Sequence, residues 1–314
     1  MKMLSIITPH YNCFEGLKAV YDCLNKQTSS LWEWIIVDDY SDDDLKKKLS
    51  DWVETLNDER LTLIKNIEKT NASKCRNIGA TKARSNQLVF LDSDDFVSND
   101  FVENRLIPVK DFVIYLNTGI IDKHGNIEKV KNVTGNYIDY FLQAQFIWPI
   151  TAILWDKKFF FSIGGFNSEL QRLQDVEMSI KALQQSNDYL VLENEVDFYY
   201  QVKPIRERKN YLKPISQSVY FLISELLDYT KLTERQLNYL TGYYYMNVKY
   251  LERFESFEHI NLVKENLKLF YFKGSIGLLK YFSGKILLKL YANKVINGTY
   301  FLRINRYLFK PKTK

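Results

Sequence analysis

Short apolar runs alternate with amphipathic helical patterns over the first hundred residues. Apolar positions between the runs recur three and four residues apart, which favours helices that pack back on the strands. Strands that alternate with helices are typical of a mostly parallel, doubly wound sheet. We therefore expect an α/β fold here. Four runs predict its buried strands: Leu4–Thr8, Trp34–Asp39, Leu61–Ile64 and Leu88–Asp92.

The pattern loosens beyond residue 110 and changes again near residue 210. Three further strands are predicted at Phe112–Leu116, Ala152–Trp155 and Tyr189–Leu192. After Pro204 and Pro214 the chain becomes rich in Lys, Tyr, Phe and Leu at helical spacing. We therefore predict an α/β domain over residues 1–208 and a C-terminal helical extension, basic and rich in aromatic residues, over 209–314.

Composition indicates a globular protein with an uneven charge. Hydrophobic residues make up 46% of the 314 positions, with only 12 Gly and 6 Pro, which excludes collagen-like and disordered classes. Residues 1–200 carry 22 Lys and Arg against 30 Asp and Glu, whereas residues 201–314 carry 21 against 8. The basic part could attract an anionic membrane surface or nucleic acid. Because the first part is acidic and no nucleic-acid module is recognisable, we expect no nucleic-acid partner.

The sequence also indicates a compartment. Its three cysteines cannot form a closed disulfide framework, and the chain starts without a signal-peptide layout. There is no run of about 18 uncharged apolar residues of the kind that spans a bilayer. We expect a cytoplasmic protein. The three histidines show no zinc spacing and are expected to be ordinary surface or turn residues, with His10 near a ligand.

Acidic residues follow two of the predicted strands, at Asp38-Asp39 with Asp42-Asp43-Asp44 and at Asp92-Ser93-Asp94-Asp95. Ligands of open α/β sheets bind outside the carboxyl ends of the strands. So many carboxylates at one edge are unfavourable unless a cation or hydrogen-bond donors neutralise them. Mg²⁺ typically takes one or two carboxylates plus phosphates and water, and Asp92-Ser93-Asp94 fits that arrangement. A single Asp after a strand can instead simply cap the next helix.

Five stretches of the sequence carry a resemblance to a known family. They resemble the family 2 glycosyltransferases, which have the Rossmann-like glycosyltransferase A-type fold and use nucleotide-diphosphate sugars. The resemblance covers about residues 3–200 and excludes the C-terminal region. The matching stretches are Ser5–Asn12, Trp34–Asp43, Ser73–Gly79, Phe90–Asp95, and the Gly-Gly-Phe turn Gly164–Phe166 with the acidic helix from Leu173 to Glu177.

The resemblance implies a role for several of these residues. Asp94 would coordinate a Mg²⁺ or Mn²⁺ ion on the donor diphosphate, and Asp92 would lie near the ribose or the metal. A metal there stabilises charge on the leaving nucleotide. The residues implied at the nucleotide are Thr8, Pro9 and Tyr11 along the pocket, Asp39 near the base or ribose, and Arg76 beside the nucleotide.

The acceptor hydroxyl needs a general base, and the resemblance implies Asp175. The family commonly shows Glu-Asp here, whereas this chain has Gln174-Asp175. Val176, Ile180 and Leu183 would form the buried stripe of this helix. Asp175 and Glu177 then point about 160° apart, so only one of them can face the acceptor. A single attack opposite the leaving group would invert the anomeric configuration.

The expected function is therefore metal-dependent hexosyl transfer. The donor would be a nucleotide-diphosphate sugar, most often a UDP-sugar, and the acceptor a glycan or lipid-linked glycan in bacterial surface polysaccharide synthesis. Two alternatives are an inactive binding member of the same fold and a sugar nucleotidyltransferase, although the first strand lacks a glycine-rich phosphate loop. The basic amphipathic stretch from Leu278 to Lys294 predicts peripheral contact with the inner face of the membrane, or else a solvated lysine face over packed helices.

Overall fold

The computed structural model describes residues 3–122, 125–130, 132–193, 195–201, 211–229 and 232–312. The chain forms two compact units, named here by their content. The sheet unit comprises Met1–Val133, Trp148–Ser168 and Lys181–Lys203, and the helical unit comprises Thr134–Ile147, Glu169–Ile180 and Pro204–Lys314. The predicted boundary after residue 208 lies outside the described residues. Two pieces of the predicted first domain, at 134–147 and 169–180, belong to the helical unit instead.

A seven-stranded, mostly parallel sheet forms the centre of the sheet unit, which confirms the predicted fold class. Its order is β10-β6-β9-β4-β1-β2-β3. Only β9 runs antiparallel to its neighbours. Its strands are β1 (Leu4–His10), β2 (Trp32–Asp38), β3 (Leu61–Lys65), β4 (Gln87–Phe90), β6 (Phe112–Tyr115), β9 (Ile153–Asp156) and β10 (Tyr189–Leu192).

The first three helices of the sheet unit lie between the strands, where the sequence predicts helices. In α1, the side chains of Leu17, Val20 and Leu24 are buried, as their spacing requires. Asn71 caps α3 by accepting a hydrogen bond from the backbone N–H of Lys74. These helices are α1 (Phe14–Asn25), α2 (Asp43–Leu56), α3 (Ala72–Lys82), α4 (Phe101–Arg105) and α6 (Lys157–Ser162).

A smaller four-stranded sheet, not expected from the sequence, has the order β5-β11-β7-β8. A fully buried ion pair supports it: the guanidinium of Arg105 donates to both carboxylate oxygens of Asp197, at 2.6 and 3.2 Å. The same guanidinium lies 3.6 Å from the ring centroid of Phe101. The strands are β5 (Phe96–Val97), β7 (Gly119–Ile121), β8 (Ile127–Lys129) and β11 (Phe198–Gln201).

The helical unit confirms the predicted helical C-terminal region. Its helices are α5 (Tyr137–Leu142), α8 (Leu212–Tyr229), α9 (Glu234–Arg253), α10 (Ile260–Phe272), α11 (Leu278–Ala292) and α12 (Gly298–Phe309). A further helix, α7 (Gln174–Gln185), begins in this unit. Thr233 and Gln236 form a capping box at the start of α9. None of the described helices combines the length and the hydropathy needed to cross a membrane.

The order of the central strands determines where a ligand can bind. β1 pairs in parallel with β2 on one side and with β4 on the other. The chain therefore extends from β1 through β2 to β3 and then returns to the opposite side of β1. Such a reversal opens a crevice at the carboxyl ends of the strands, where ligands of doubly wound sheets bind. The acidic stretches of the sequence follow β2 and β4 at this edge.

Candidate functional site

His10 and Asp38 join the carboxyl ends of β1 and β2. Both side chains are buried, and Nδ1 of His10 lies 2.8 Å from a carboxylate oxygen of Asp38. The backbone N–H of Cys13 donates to Nε2 of His10, so the ring proton lies on Nδ1 and is donated to Asp38. The hydroxyl of Ser41 donates to the same carboxylate at 2.5 Å. The expectation that His10 is a surface or turn residue is wrong, because this network holds it inside the protein.

Asp39 is held by donors at the edge of the same crevice. Its carboxylate accepts hydrogen bonds from the backbone N–H of Thr70 at 2.8 Å and from the Thr70 hydroxyl at 2.5 Å. The ammonium of Lys69 lies 3.2 Å away. Burial alone would raise the pKa of Asp39, but these hydrogen bonds outweigh it and the pKa lies below its ordinary value. Hydrogen-bond donors of the protein thus compensate the negative charges of Asp38 and Asp39 without a metal.

Tyr11 offers an exposed aromatic face beside Asp39. Its side chain is 49% exposed, and the ammonium of Lys69 lies 2.8 Å from its ring centroid. Asn12 and Tyr40 both have left-handed backbone conformations, with φ of 50° and 63°. The amide of Asn12 exchanges hydrogen bonds with Asp42. Lys69 therefore links two of the predicted nucleotide residues, Tyr11 and Asp39.

Two other residues predicted at the nucleotide differ from Tyr11 in exposure. Thr8 is fully buried, and its hydroxyl accepts a hydrogen bond from the indole N–H of Trp34 at 2.8 Å. Pro9 is partly exposed. The side chain of Thr8 thus stabilises the packing of β1 against β2, and its contact with a nucleotide stays a prediction.

Arg76 and Asp92, both predicted at the site, contact each other. The guanidinium of Arg76 donates to Asp92 at 2.5 Å, and Arg76 is nearly buried while the carboxylate of Asp92 is 34% exposed. The neighbouring backbone packs closely on α1. A Cβ placed on Gly16 would lie 2.2 Å from the carbonyl oxygen of Ser93. Only a glycine at position 16 therefore allows the Asp92–Asp94 loop to lie where it does.

Asp92, Asp94 and Asp95 form the acidic rim of the crevice. Asp95 is buried, and one of its oxygens accepts a hydrogen bond from the backbone N–H of Gln201 at 3.3 Å. Burial, followed by the negative charges of Asp92 and Asp94, raises the pKa of Asp95 well above its ordinary value. Asp92 and Asp94 therefore lie close enough to Asp95 to disfavour its charged form.

The donor set at this rim fits a divalent cation in part. Within the described ranges, no three His, Cys, Asp or Glu side chains are placed to hold a metal by themselves. Asp92 and Asp94 supply two partly exposed carboxylates. Mg²⁺ prefers this arrangement when phosphates and water complete its coordination. The rim is therefore chemically suited to a metal that arrives with a phosphate-bearing ligand.

The Gly-Gly-Phe turn is attached to α3, the helix that carries Arg76. The side-chain amide of Asn77 donates to the carbonyl oxygen of Phe166 at 2.7 Å and accepts from its N–H at 3.0 Å. Gly164 and Gly165 have φ of 90° and 62°, a region that favours glycine. Two of the five matching stretches thus hold each other in place.

Asp175 lies in the helical unit, in the first turn of α7. Its negative charge acts on Tyr243, whose pKa is raised well above its ordinary value, first by burial and then by Asp175. Of the predicted buried stripe, Val176 and Ile180 are buried and Leu183 is only partly buried. Glu177 is buried as well, with 2% exposure. The first turns of α7 are therefore enclosed on more than one face.

Sequence reasoning missed several residues that build the site. Gly16 and Thr70 belong to no recognisable motif. Gly16 matters because it contacts the backbone of Ser93, and Thr70 because it donates hydrogen bonds to the carboxylate of Asp39. The side chain of Lys69 is invisible to strand and helix periodicity because it lies in a loop. Only His10 gave a usable sequence signal. It ends the apolar run of β1, and the apolar run of β2 ends at Asp38, its partner in the structure.

Solved structures share this architecture. TarS of S. aureus, residues 1–349 in complex with UDP-GlcNAc, aligns with a TM-score of 0.62 at 15% identity, over 98% of this chain and 91% of that one. The mannosyltransferase PcManGT from Pyrobaculum calidifontis, in complex with GDP-Man and Mn²⁺, aligns with a TM-score of 0.57 at 16% identity, over 98% and 85%. At this identity the likeness shows a common fold.

Curated relatives match parts of the chain, and the chain spans about three fifths of the length of the first two. An uncharacterised glycosyltransferase of Haemophilus influenzae is 31% identical over 194 residues, covering 58% of this chain and 63% of the relative. The E. coli enzyme WfgD, a UDP-Glc:α-D-GlcNAc-diphosphoundecaprenol β-1,3-glucosyltransferase, is 29% identical over 138 residues, covering 43% and 51%. The family model described as "Glycosyl transferase family 2" matches residues 5–167, just over half of the chain. The chain belongs to glycosyltransferase family 2.

Proposed function

We propose that this protein transfers a sugar, with inversion, from a nucleotide-diphosphate donor to a glycan or lipid-linked glycan acceptor. The observation that carries the proposal is the acidic rim of Asp92, Asp94 and Asp95 at the crevice where the strand order reverses. A UDP-sugar is the proposed donor, because TarS aligns in complex with UDP-GlcNAc and WfgD is named for UDP-Glc. Bacterial surface polysaccharide synthesis is the proposed setting.

The donor's nucleotide is proposed to bind along β1 and β2. Tyr11 offers a half-exposed ring on which a base can stack. Lys69 lies over that ring and on Asp39, so a stacked base would have to displace its ammonium. That ammonium would then be free to meet a phosphate. Arg76 stays on Asp92 and keeps this carboxylate turned toward the rim.

Asp92 and Asp94 are proposed to hold Mg²⁺ or Mn²⁺ together with the donor's diphosphate. When bound, a divalent cation supplies stabilisation of the charge that develops on the departing nucleotide. Burial, followed by the negative charges of Asp92 and Asp94, raises the pKa of Asp95, and a cation beside these carboxylates would offset their charge. PcManGT was solved with Mn²⁺ and GDP-Man.

Asp175 is proposed as the general base. Its carboxylate would take the proton of the acceptor hydroxyl while that oxygen forms a bond to the anomeric carbon. The bond from this carbon to the diphosphate breaks in the same step, which inverts the configuration. The neighbouring Tyr243 keeps its proton, because its pKa is raised, and its hydroxyl donates to the carbonyl oxygen of Phe141 at 2.7 Å. Tyr243 therefore cannot compete with Asp175 as a base.

Peripheral contact with an anionic membrane is proposed for α11 and α12. WfgD is named for an acceptor on diphosphoundecaprenol, so an acceptor of this kind would lie at a membrane. Apolar side chains stand exposed on both helices among lysines and arginines, a combination that favours interfacial binding. They are Leu278, Leu279, Phe282, Ile286, Tyr300, Ile304 and Tyr307, with exposures between 39% and 85%.

Flotation with vesicles containing phosphatidylglycerol tests this contact. The parent should float with the vesicles, and the double variant Leu279→Ser, Phe282→Ser should float much less. Ile67, which is 91% exposed in the sheet unit, supplies the control Ile67→Ser, expected to float like the parent. No flotation of the parent, or equal flotation of all three proteins, would contradict the membrane contact without affecting the proposed transfer.

The transfer itself is tested by a screen of nucleotide sugars with Mg²⁺, Mn²⁺ or EDTA. We expect transfer to a glycan acceptor from at least one UDP-sugar, only with metal, and an inverted product by NMR. Asp175→Asn should abolish transfer while donor binding persists, and the exposed Asp51→Asn should change neither. Donor binding without transfer by the parent would instead indicate an inactive binding member of the family.

A further inference from the structure

A basic pocket lies entirely within the helical unit and takes no part in the proposed transfer. Its volume is about 540 Å³. The end of α5, the middle of α9 and the end of α12 form its walls. The lining residues are Gln143, Ala144, Gln145, Gly242, Tyr245, Met246, Lys249, Arg306, Lys310 and Pro311.

The floor of this pocket is fixed by a close approach of two backbones. A Cβ on Gly242 would lie 2.4 Å from the carbonyl oxygen of Gln143, so α9 can pack on the end of α5 only with glycine there. The chain leaves α5 through Ala144, which has φ of 56°. The side-chain amide of Gln143 is tied to the carbonyl oxygen of Asp139 at 2.8 Å. The pocket is therefore preformed.

Three cations surround the pocket, and its lining contains no acid. They are Lys249, Arg306 and Lys310. None of the three takes part in an ion pair with a carboxylate of the described residues. The sequence contains no Asp or Glu after Glu265, so α12 supplies no countercharge.

The cations act on one another and on the pocket wall. The pKa of Lys249 is lowered, first by burial and then by the positive charges of Lys310 and Arg253. Arg306 partly offsets the burial that raises the pKa of Tyr245. Positive charges that repel one another across a preformed cavity favour an anionic occupant.

We propose that this pocket binds a phosphate group, as a diphosphate or as the phosphate of a larger ligand. Phosphate suits it better than a single carboxylate because three cations can be satisfied by one group with several acceptor oxygens. Arg306 offers a planar fork of donors for two of these oxygens, and the two lysines offer flexible ammonium groups. The volume leaves room for more than one phosphate. The proposal does not depend on the sugar transfer.

Calorimetric titration with inorganic pyrophosphate in EDTA tests the proposal. The pocket variant is Lys249→Gln, Arg306→Gln, Lys310→Gln. The charge-matched control is Lys82→Gln, Lys264→Gln, Lys268→Gln, which lie outside the pocket lining and outside α11 and α12. We expect pyrophosphate affinity to fall at least about tenfold in the pocket variant and less than about twofold in the control. Asp94→Ala should bind pyrophosphate like the parent in EDTA, which separates this pocket from the rim of the sheet unit. Circular dichroism of each variant checks the helices.

A second arm identifies the source of the phosphate. It measures binding to vesicles containing phosphatidic acid, again with the pocket and control variants. A loss confined to the pocket variant in both arms supports a lipid phosphate, and a loss with pyrophosphate alone supports a soluble one. If the two triple variants lose the same affinity in both arms, or the folded parent binds neither probe, the proposal is wrong.

Discussion

In the Gly16→Ala substitution, helix propensity and packing act in opposite directions, and the structure predicts that packing prevails. Gly16 lies inside α1, where alanine is favoured over glycine by about 1 kcal/mol. Propensity alone therefore predicts a more stable protein. The added Cβ would lie 2.2 Å from the carbonyl oxygen and 3.2 Å from the carbonyl carbon of Ser93, both backbone atoms.

The magnitude follows from these distances. Real Cβ contacts are longer than 3.0 Å, so the backbone at Ser93 must withdraw by about 0.8 Å. Overpacking of this kind costs about 1–3 kcal/mol. After subtraction of the propensity gain of about 1 kcal/mol, we expect a net loss of up to about 2 kcal/mol. Ser93 lies between Asp92 and Asp94, so the rim moves as well. A misplacement of about 1 Å can lower a catalytic rate by about 100-fold, and we expect a loss of roughly tenfold to 100-fold.

Urea unfolding followed by tryptophan fluorescence measures the stability of the sheet unit, which contains Gly16. All five tryptophans lie in the sheet unit, so the signal reports the packing around α1. The control is Lys18→Ala on the same helix, which removes an exposed ion pair with Glu15 and should change stability by less than about 0.5 kcal/mol. The rate of transfer, or the metal-dependent affinity for UDP, shows whether the acidic rim has moved. If Gly16→Ala is more stable than the parent and binds UDP unchanged, the assigned packing is wrong.

Two further predictions concern the stability of each unit. The sheet unit should lose stability as the pH falls below about 4. The reason is that the pKa of Glu33 lies below its ordinary value of 4.5, and the pKa values of Asp38 and Asp39 lie below their ordinary value of 3.8. The stabilisation by these carboxylates is present above the ordinary values and is lost as the carboxylates become protonated. Asp38→Asn should flatten this dependence in fluorescence titrations, and an unchanged slope would contradict it. In the helical unit, Asn247 is fully buried, and neither atom of its side-chain amide has a hydrogen-bond partner among the described residues. Asn247→Leu should therefore stabilise the protein by about 1–3 kcal/mol in calorimetric unfolding, whereas Asn238→Leu, at an exposed position, should not. A lower melting temperature for Asn247→Leu would refute this prediction.

The sequence predicted the central strands because each is an apolar run between helical patterns. β2 nevertheless begins two residues earlier than expected, at Trp32. The reason is Glu33, a charged residue that reads as a strand boundary. It is buried because Ser5 and Arg84 both donate hydrogen bonds to it. Those partners are distant in sequence, so the pattern of one segment cannot reveal them.

The acidic rim was predicted in place, but its electrostatics were only partly foreseen. The sequence suggested that a cation or hydrogen-bond donors compensate the acids after β2 and β4, with the metal at Asp92-Ser93-Asp94. In the structure, His10 and Ser41 satisfy Asp38, and Thr70 with Lys69 satisfies Asp39. At Asp95, burial and the negative charges of Asp92 and Asp94 outweigh the hydrogen bond from Gln201 and disfavour the charged form. Tertiary hydrogen bonds decide which of these acids the protein itself compensates, and no local spacing encodes such bonds.

The division into units was the least predictable feature. Residues 134–147 and 169–180 precede the predicted boundary, yet they pack with the C-terminal helices. Gln143 contacts Gly242, and Asp139 accepts a hydrogen bond from Gln236. These contacts span about a hundred residues of sequence. Apolar periodicity reports that a segment has a buried face, but it does not report which segment covers that face.

The central claim, a metal held by the acidic rim against the donor's diphosphate, is tested most directly by calorimetric titration of UDP in Mn²⁺ and in EDTA. For the parent, we predict binding that depends on Mn²⁺. Asp94→Ala should lose at least about tenfold in Mn²⁺-dependent affinity, whereas Asp175→Ala and Asp51→Ala should bind UDP like the parent. Equal UDP affinity of Asp94→Ala and the parent in Mn²⁺ would contradict the claim.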